Sequence, residues 1–186
     1  MASFSSGPRS LKNSCLQDAR LIDHILRPVH EAARRYFDRV NLAGESLAER
    51  AATLMAALGG LPDSQARFAL LVERARTRPL LSPEFRLDEF RVPGCQVRTW
   101  LVPTFRDGRC WFQLDSDAAS LKAVGGLLCD FYNGQAPVDV QQESPHFLEA
   151  LGLGGNLAEN RRRTVWRIRE LIRDFATAHL ATAVAA

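Results

Sequence analysis

"VRTWLVPTFRDGRCWFQLDSDAASLK", residues 97–122, decides the fold. Val97, Thr99 and Leu101 alternate with Arg98, Trp100 and Val102, the period-two pattern of a strand with two unlike faces. Asp107-Gly108 then marks a tight reversal, because a type I′ turn needs positive φ at both central positions. On the return strand, Arg109 to Leu114, Cys110 and Phe112 share one face and Trp111 and Gln113 the other. The reading is a hairpin over 97–114. Beyond it the period becomes helical: Ser116 is expected as N-cap, and Asp117 suits the positive end of the helix dipole. Leu121, Val124, Leu128 and Phe131 face inward, and "NGQAP" closes the helix. Gly125-Gly126 within it costs roughly 1 kcal/mol per glycine relative to Ala, which predicts close packing there.

Helices flank this hairpin. Ser46 is placed to cap a helix to Leu58, ended by Gly59-Gly60. "LPDSQARFALLVERART" (61–77) follows, with Phe68, Leu71, Val72 and Ala75 as its buried stripe. The proline-flanked run from Pro79 is expected to reach Cys95 in an extended state. Downstream, "SPHFLEALG" (144–152) reads as a short helix with Ser144 as cap and Pro145 first. A last helix from Asn160 to Leu180 buries Val165, Ile168, Ile172 and Phe175. The fold class is α+β: a small antiparallel sheet, hairpin 97–114 plus an edge strand, packed on helices. Residues 1–45 form an extension, a leader followed by helical spacing that Pro28 interrupts, 46–180 the domain and 181–186 a tail.

The bulk numbers exclude several classes. At 186 residues, 46% hydrophobic and 24% charged, the chain has the composition of one ordinary globular domain. It carries no apolar run of membrane-spanning length, and the Ser-rich start lacks the apolar segment of a secretory signal. A net charge of +3 gives no reason to invoke nucleic acid. Lys12 and Lys122 are the only lysines, so a Schiff-base cofactor on this chain is not expected. Cysteines at 15, 95, 110 and 129 lack a CxxC pair, which indicates reduced, cytoplasmic usage and no metal site.

Cys95 follows a Pro-Gly turn and precedes the Trp-bearing strand, with Arg91 and Arg98 nearby. Free cysteine commonly serves as a small buried hydrophobe. Loop position and adjacent positive charge favour a reactive thiol instead, and the helix start near Ser116 lies at the same end of the hairpin. Cys110 and Cys129 fall at core positions, Cys15 in the leader, and His146 at a helix start where capping or exposure suits it better than pairing with a thiol. In "ENRRRTVWRIRELIRD" (159–174) three arginines oppose the dipole of their own helix start. An acidic partner surface, or Asp115 or Asp117, would explain them.

Taken together, Gly94-Cys95-Gln96, Trp100, Asp115-Ser116-Asp117-Ala118, Lys122, Tyr132 and Pro137 resemble the SufE family over about residues 46–178. "PLLSPEFRLDEFRVPGC" (79–95) looks like that family's approach to its cysteine, and "LAENR" (157–161) puts Arg161 at the family's arginine. The resemblance implies a SufE/IscU-like fold and a sulfur acceptor that takes persulfide sulfur onto Cys95. Its partners would be a cysteine desulfurase of the SufS or CsdA kind and a downstream iron–sulfur scaffold or acceptor, with neither nucleic acid nor membrane involved. The acceptor would stimulate the desulfurase and act as a monomer or homodimer. It implies no cofactor here, the pyridoxal phosphate belonging to the desulfurase. Gly94, Gln96, Asp115, Ser116, Asp117 and Arg161 would support the loop or meet the partner.

Three positions depart from the family pattern: Val97 where Ser is usual, Thr99 where Val is usual, and Arg163-Thr164 where Asn-Gly is common. Val97 sustains an alternative, a transfer-inactive binding module that regulates a desulfurase or assembly complex. An IscU-like scaffold is disfavoured because Cys95, Cys110 and Cys129 lack that family's local motifs. A cysteine hydrolase is disfavoured because the thiol has no assignable His or Asn/Asp partner.

Overall fold

The computed structural model describes residues 45–180. The helical pattern at 17–40, Cys15 and the tail 181–186 lie outside that range. Helices α1 (Leu47–Gly59) and α2 (Ser64–Thr77) come first. Ser46 caps α1 in a reciprocal box: its Oγ accepts the Glu49 N–H while the Glu49 carboxylate accepts the Ser46 N–H. Asp63 caps α2 by accepting the Ala66 N–H at 2.8 Å.

Strands β1 (Thr99–Arg106) and β2 (Arg109–Ser116) pair antiparallel, from Thr99 opposite Ser116 to Arg106 opposite Arg109. Asp107 and Gly108 have φ of 52° and 69°, the mirror-image turn that the dipeptide predicts. The sheet has two strands among the described residues. The edge pairing is reduced to single bridges, Arg91 with Trp100 and Cys110 with Gln135.

Helix α3 (Ala119–Tyr132) is the centre of the domain, buried from Ser120 to Tyr132. It lies against β2 on one side and α2 on another, with α6 (Glu159–Ala178) also packed on it. The helix is enclosed on every side, the buried Lys122 and Asp130 included, so its apolar stripe does not mark one inward face. Gly125 and Gly126 make that packing possible. A Cβ on Gly125 would stand 2.9 Å from Leu114 Cδ1, and one on Gly126 would stand 3.0 Å from the Arg78 guanidinium. Two short helices, α4 (Pro137–Gln142) and α5 (Phe147–Ala150), connect α3 to α6.

Three local expectations are corrected. The run from Pro79 is not extended: it makes two 3₁₀ turns, Pro83–Phe85 and Asp88–Phe90. These turns bring Phe85 and Phe90 onto Leu81, Trp100 and Val102, a second small core on the far face of the hairpin. Both faces of β1 are therefore covered from Thr99 to Val102, and alternation of burial begins only later along the strand. Ser144 does not cap α5, since its Oγ accepts from Arg169 at 2.7 Å. Ser116 is not the N-cap of α3. It still belongs to β2, its Oγ accepts the Ala118 N–H at 3.2 Å, and α3 starts three residues later behind Ala118.

Candidate functional site

Cys95 stands at the end of a turn built by Val92-Pro93-Gly94. The Cys95 N–H donates to the Val92 carbonyl at 3.4 Å, and Gly94 has φ of 74°. Pro before a residue at positive φ is the type II arrangement, which Gly enters without steric cost. A Cβ on Gly94 would touch nothing within 4 Å, so an Ala there meets backbone strain alone. Gly94→Ala is expected to cost about 1 kcal/mol, visible as a lowered Tm. An unchanged Tm would mean that the turn relaxes freely.

The thiol is half-buried at the wall of an open pocket of about 290 Å³, lined by the 93–97 loop, Leu121 of α3 and Asn160, Arg161, Arg163, Thr164 and Arg167 of α6. Two hydroxyls meet the sulfur. Thr99 Oγ1 lies 3.5 Å from Cys95 Sγ, and Thr164 Oγ1 lies 3.4 Å from it on the side of α6. Thr99 Oγ1 is also 2.8 Å from Ser116 Oγ, the two residues being directly opposed in the ladder. Thr99, Ser116 and Thr164 are all buried, an unusual concentration of hydroxyls for a domain interior.

The rim is cationic. Arg161, Arg163 and Arg167 line the pocket. Arg161 does not pair with Asp115 or Asp117, one of the two explanations the sequence left open for the arginine run; its guanidinium donates to Ser120 Oγ at 3.0 Å. Arg163 pairs with Glu159 and Arg167 with Glu170, both along α6. Gln96 is tied across to α6, its Oε1 accepting from Asn160 Nδ2 at 3.1 Å. Loop and helix are thereby joined above the thiol.

The acidic residues divide by role. Asp115 is 1% exposed and bound by Lys122 Nζ at 3.1 Å, by Arg86, and by the N–H groups of Leu81 and Ser116. Burial would raise its pKa, but these donors, Lys122 foremost, hold the carboxyl below the ordinary range. It fastens the segment carrying Leu81 and Arg86 to the end of β2, beside the site and not in it. Asp117 is an outer residue, paired with Arg98 at 2.7 Å.

Cys110 and Cys129 are fully buried, and burial pushes their thiols up to about 11 and about 12. With Cys15 replaced by Ser, alkylation of the folded chain at pH 8 is expected to label Cys95 and spare these two until denaturation. Label on Cys110 or Cys129 before unfolding would contradict their burial. His146 is exposed and lies outside the residues that line the Cys95 pocket.

Residues 52–176 match the sequence profile of the SufE family, described as an Fe-S metabolism associated domain. The chain belongs to the SufE family. A SufE-like protein of Synechocystis is 25% identical over 142 residues, which span 76% of this chain and 89% of that one. The sulfur acceptor protein CsdE of Escherichia coli is 25% identical over 124 residues, 66% of this chain and 84% of its own. Among solved structures, a hypothetical protein from Thermus thermophilus superposes with a TM-score of 0.58 at 22% identity. It covers 70% of this chain and 96% of that protein, which supports the α+β fold.

Of the residues singled out from the sequence, Gly94, Cys95, Gln96 and Arg161 come together at the pocket. Ser116 reaches the thiol through Thr99, whereas Asp115 and Asp117 do not line it. Asn160 and Arg86 were not singled out from the sequence, and Thr99 and Thr164 were noted there as departures from the family pattern without a role at the thiol. Thr164, Asn160 and Arg86 act across 69, 64 and 29 residues of chain, so local patterns carried no signal of their partners, whereas Thr99 meets the sulfur of Cys95 from four residues away.

Proposed function

We propose that this chain is a sulfur acceptor that takes a persulfide sulfur from a cysteine desulfurase onto Cys95 and hands it on for iron–sulfur cluster assembly. The observation that carries the reading is a half-exposed thiol on a Pro-Gly turn, set in a cation-rimmed pocket while the other described thiols are sealed in the core. Membership of the SufE family and the sulfur acceptor relative in Escherichia coli support it. Ionised Cys95 attacks the outer sulfur of the donor persulfide. A new S–S bond forms at Cys95, the donor's S–S bond breaks, and the donor cysteine departs as thiolate. No net oxidation occurs, and the proton count is conserved.

The chain's own residues organise this exchange. The turn presents the sulfur, and the pocket of about 290 Å³ exceeds the roughly 30 Å³ share of one water, so an added sulfur atom has room. The arginine rim favours an anionic persulfide and an acidic partner surface. Pyridoxal phosphate belongs to the desulfurase.

The test is peptide mass spectrometry after incubation with a cysteine desulfurase and cysteine. One extra sulfur atom on the Cys95 peptide, removable by reductant, is the expected result. Binding to the desulfurase with Cys95 unmodified would replace the carrier by a regulatory module.

A further inference from the structure

We infer that Thr99 and Thr164 form a hydroxyl clamp that holds Cys95 Sγ and donates to it when it ionises, with Ser116 relaying behind Thr99. The inference rests on the reading of Cys95 as the sulfur-accepting thiol, and it assigns that site its activating groups.

Each of these buried hydroxyls has a carbonyl within reach and a second acceptor beside it. A buried hydroxyl without a partner is costly, so each of these three must spend its proton somewhere. Thr164 Oγ1 lies 3.0 Å from the Asn160 carbonyl and 3.4 Å from Cys95 Sγ, with one proton for two acceptors. Thr99 Oγ1 faces the same choice among the Val97 carbonyl at 3.3 Å, Ser116 Oγ at 2.8 Å and Cys95 Sγ at 3.5 Å.

The state of the sulfur decides the choice. A neutral thiol can donate its own proton to one threonine oxygen, leaving the hydroxyl protons on the carbonyls. A thiolate only accepts, and a hydrogen bond to a charged acceptor is roughly twice as strong as a neutral one. Rotation about two C–O bonds then turns both hydroxyls onto the sulfur without moving a heavy atom. Ser116 Oγ, now 3.3 Å from the Arg98 carbonyl, can in turn donate to Thr99 Oγ1. The outgoing proton passes to solvent through the open side of the pocket.

The two donors come from opposite sides, Thr99 from the sheet and Thr164 from α6. The clamp therefore also ties the cysteine loop to the last helix, beside the Gln96–Asn160 bond. A partner that draws Cys95 outward must break both contacts. The clamp thus serves the resting and the receiving thiol, and is released on hand-over.

The test needs no desulfurase. Rates of iodoacetamide alkylation of Cys95 are measured against pH in a Cys15→Ser chain and in its Thr164→Val, Thr99→Val and Thr164→Ser variants. Loss of one donor to the thiolate is expected to slow alkylation at neutral pH by about three- to tenfold. The rates should converge at high pH, and Thr164→Ser should behave like the parent. If one valine variant fails to fold, the other carries the measurement. Superimposable profiles for the valine variants and the parent would overturn the clamp. So would a uniform change at every pH, which would mark altered access and not altered ionisation. Persulfide uptake is scored separately by mass, so failure of the carrier reading and failure of the clamp are distinguishable.

Discussion

Cys95→Ser is expected to abolish sulfur acceptance while leaving the domain folded. The attacking species is the thiolate, and a serine hydroxyl does not ionise in the same pH range, so the transfer rate should fall by at least about a thousandfold. Stability should change by less than about 1 kcal/mol, because the residue is half-exposed and the replacement keeps its shape. The turn is held by the Cys95 backbone N–H, which survives the substitution. Unfolding by circular dichroism and sulfur loading by mass spectrometry separate the two effects. Reductant-labile sulfur still accumulating on the Cys95→Ser variant would place the acceptor thiol elsewhere.

The second large effect is on stability. Asp115→Asn should lower it by about 3–5 kcal/mol, the usual consequence of removing one partner from a buried ion pair. The amide retains the size of the carboxylate but not its charge. It leaves the Lys122 ammonium, 8% exposed, without its compensating anion. The loss should spread to the Leu81 and Arg86 segment, since both donate to the same carboxylate, and so to the cover over Trp100. Asp117→Ala is the control: its pair with Arg98 is exposed, and such pairs contribute less than about 1 kcal/mol.

Acid should reproduce the larger effect. A carboxyl whose folded pKa is depressed stabilises fully above its unfolded value of about 3.9. That stabilisation is lost as pH falls through the lower folded value. The parent should therefore lose stability below about pH 4 more steeply than Asp115→Asn, by chemical denaturation at each pH. Equal slopes for the two chains would remove Asp115 from this role.

These outcomes bear on how family resemblance is read in this chain. Val97, where a small polar residue is usual in the family, is the feature that sustains a transfer-inactive module. The threonine hydroxyls at 99 and 164 approach the same sulfur from other directions. A departure at one position is thus accompanied by polar groups supplied at two others. The alkylation profiles test whether those two hydroxyls act on the thiol.

The features legible in the order of residues were local. Asp107-Gly108 demanded the turn whose φ values are 52° and 69°, and Ser46 announced its cap. Gly125-Gly126 signalled close approach, which Leu114 and Arg78 make. The Pro-Gly turn beside Cys95 was equally readable, since turns and caps depend on backbone geometry within a few residues, and a glycine pair inside a helix marks close packing whatever the neighbour. Tertiary structure alone decided the partners. Ser116 has every attribute of a helix cap but stays in the ladder, because Thr99 stands opposite it. Arg161 turns to Ser120, 41 residues away, because the acidic groups already hold Arg86, Lys122 and Arg98. Thr164 reaches Cys95 across 69 residues of chain. Hydrophobic period tells which face of an element is buried, but a hydroxyl's partner depends on what the neighbouring elements bring to that face.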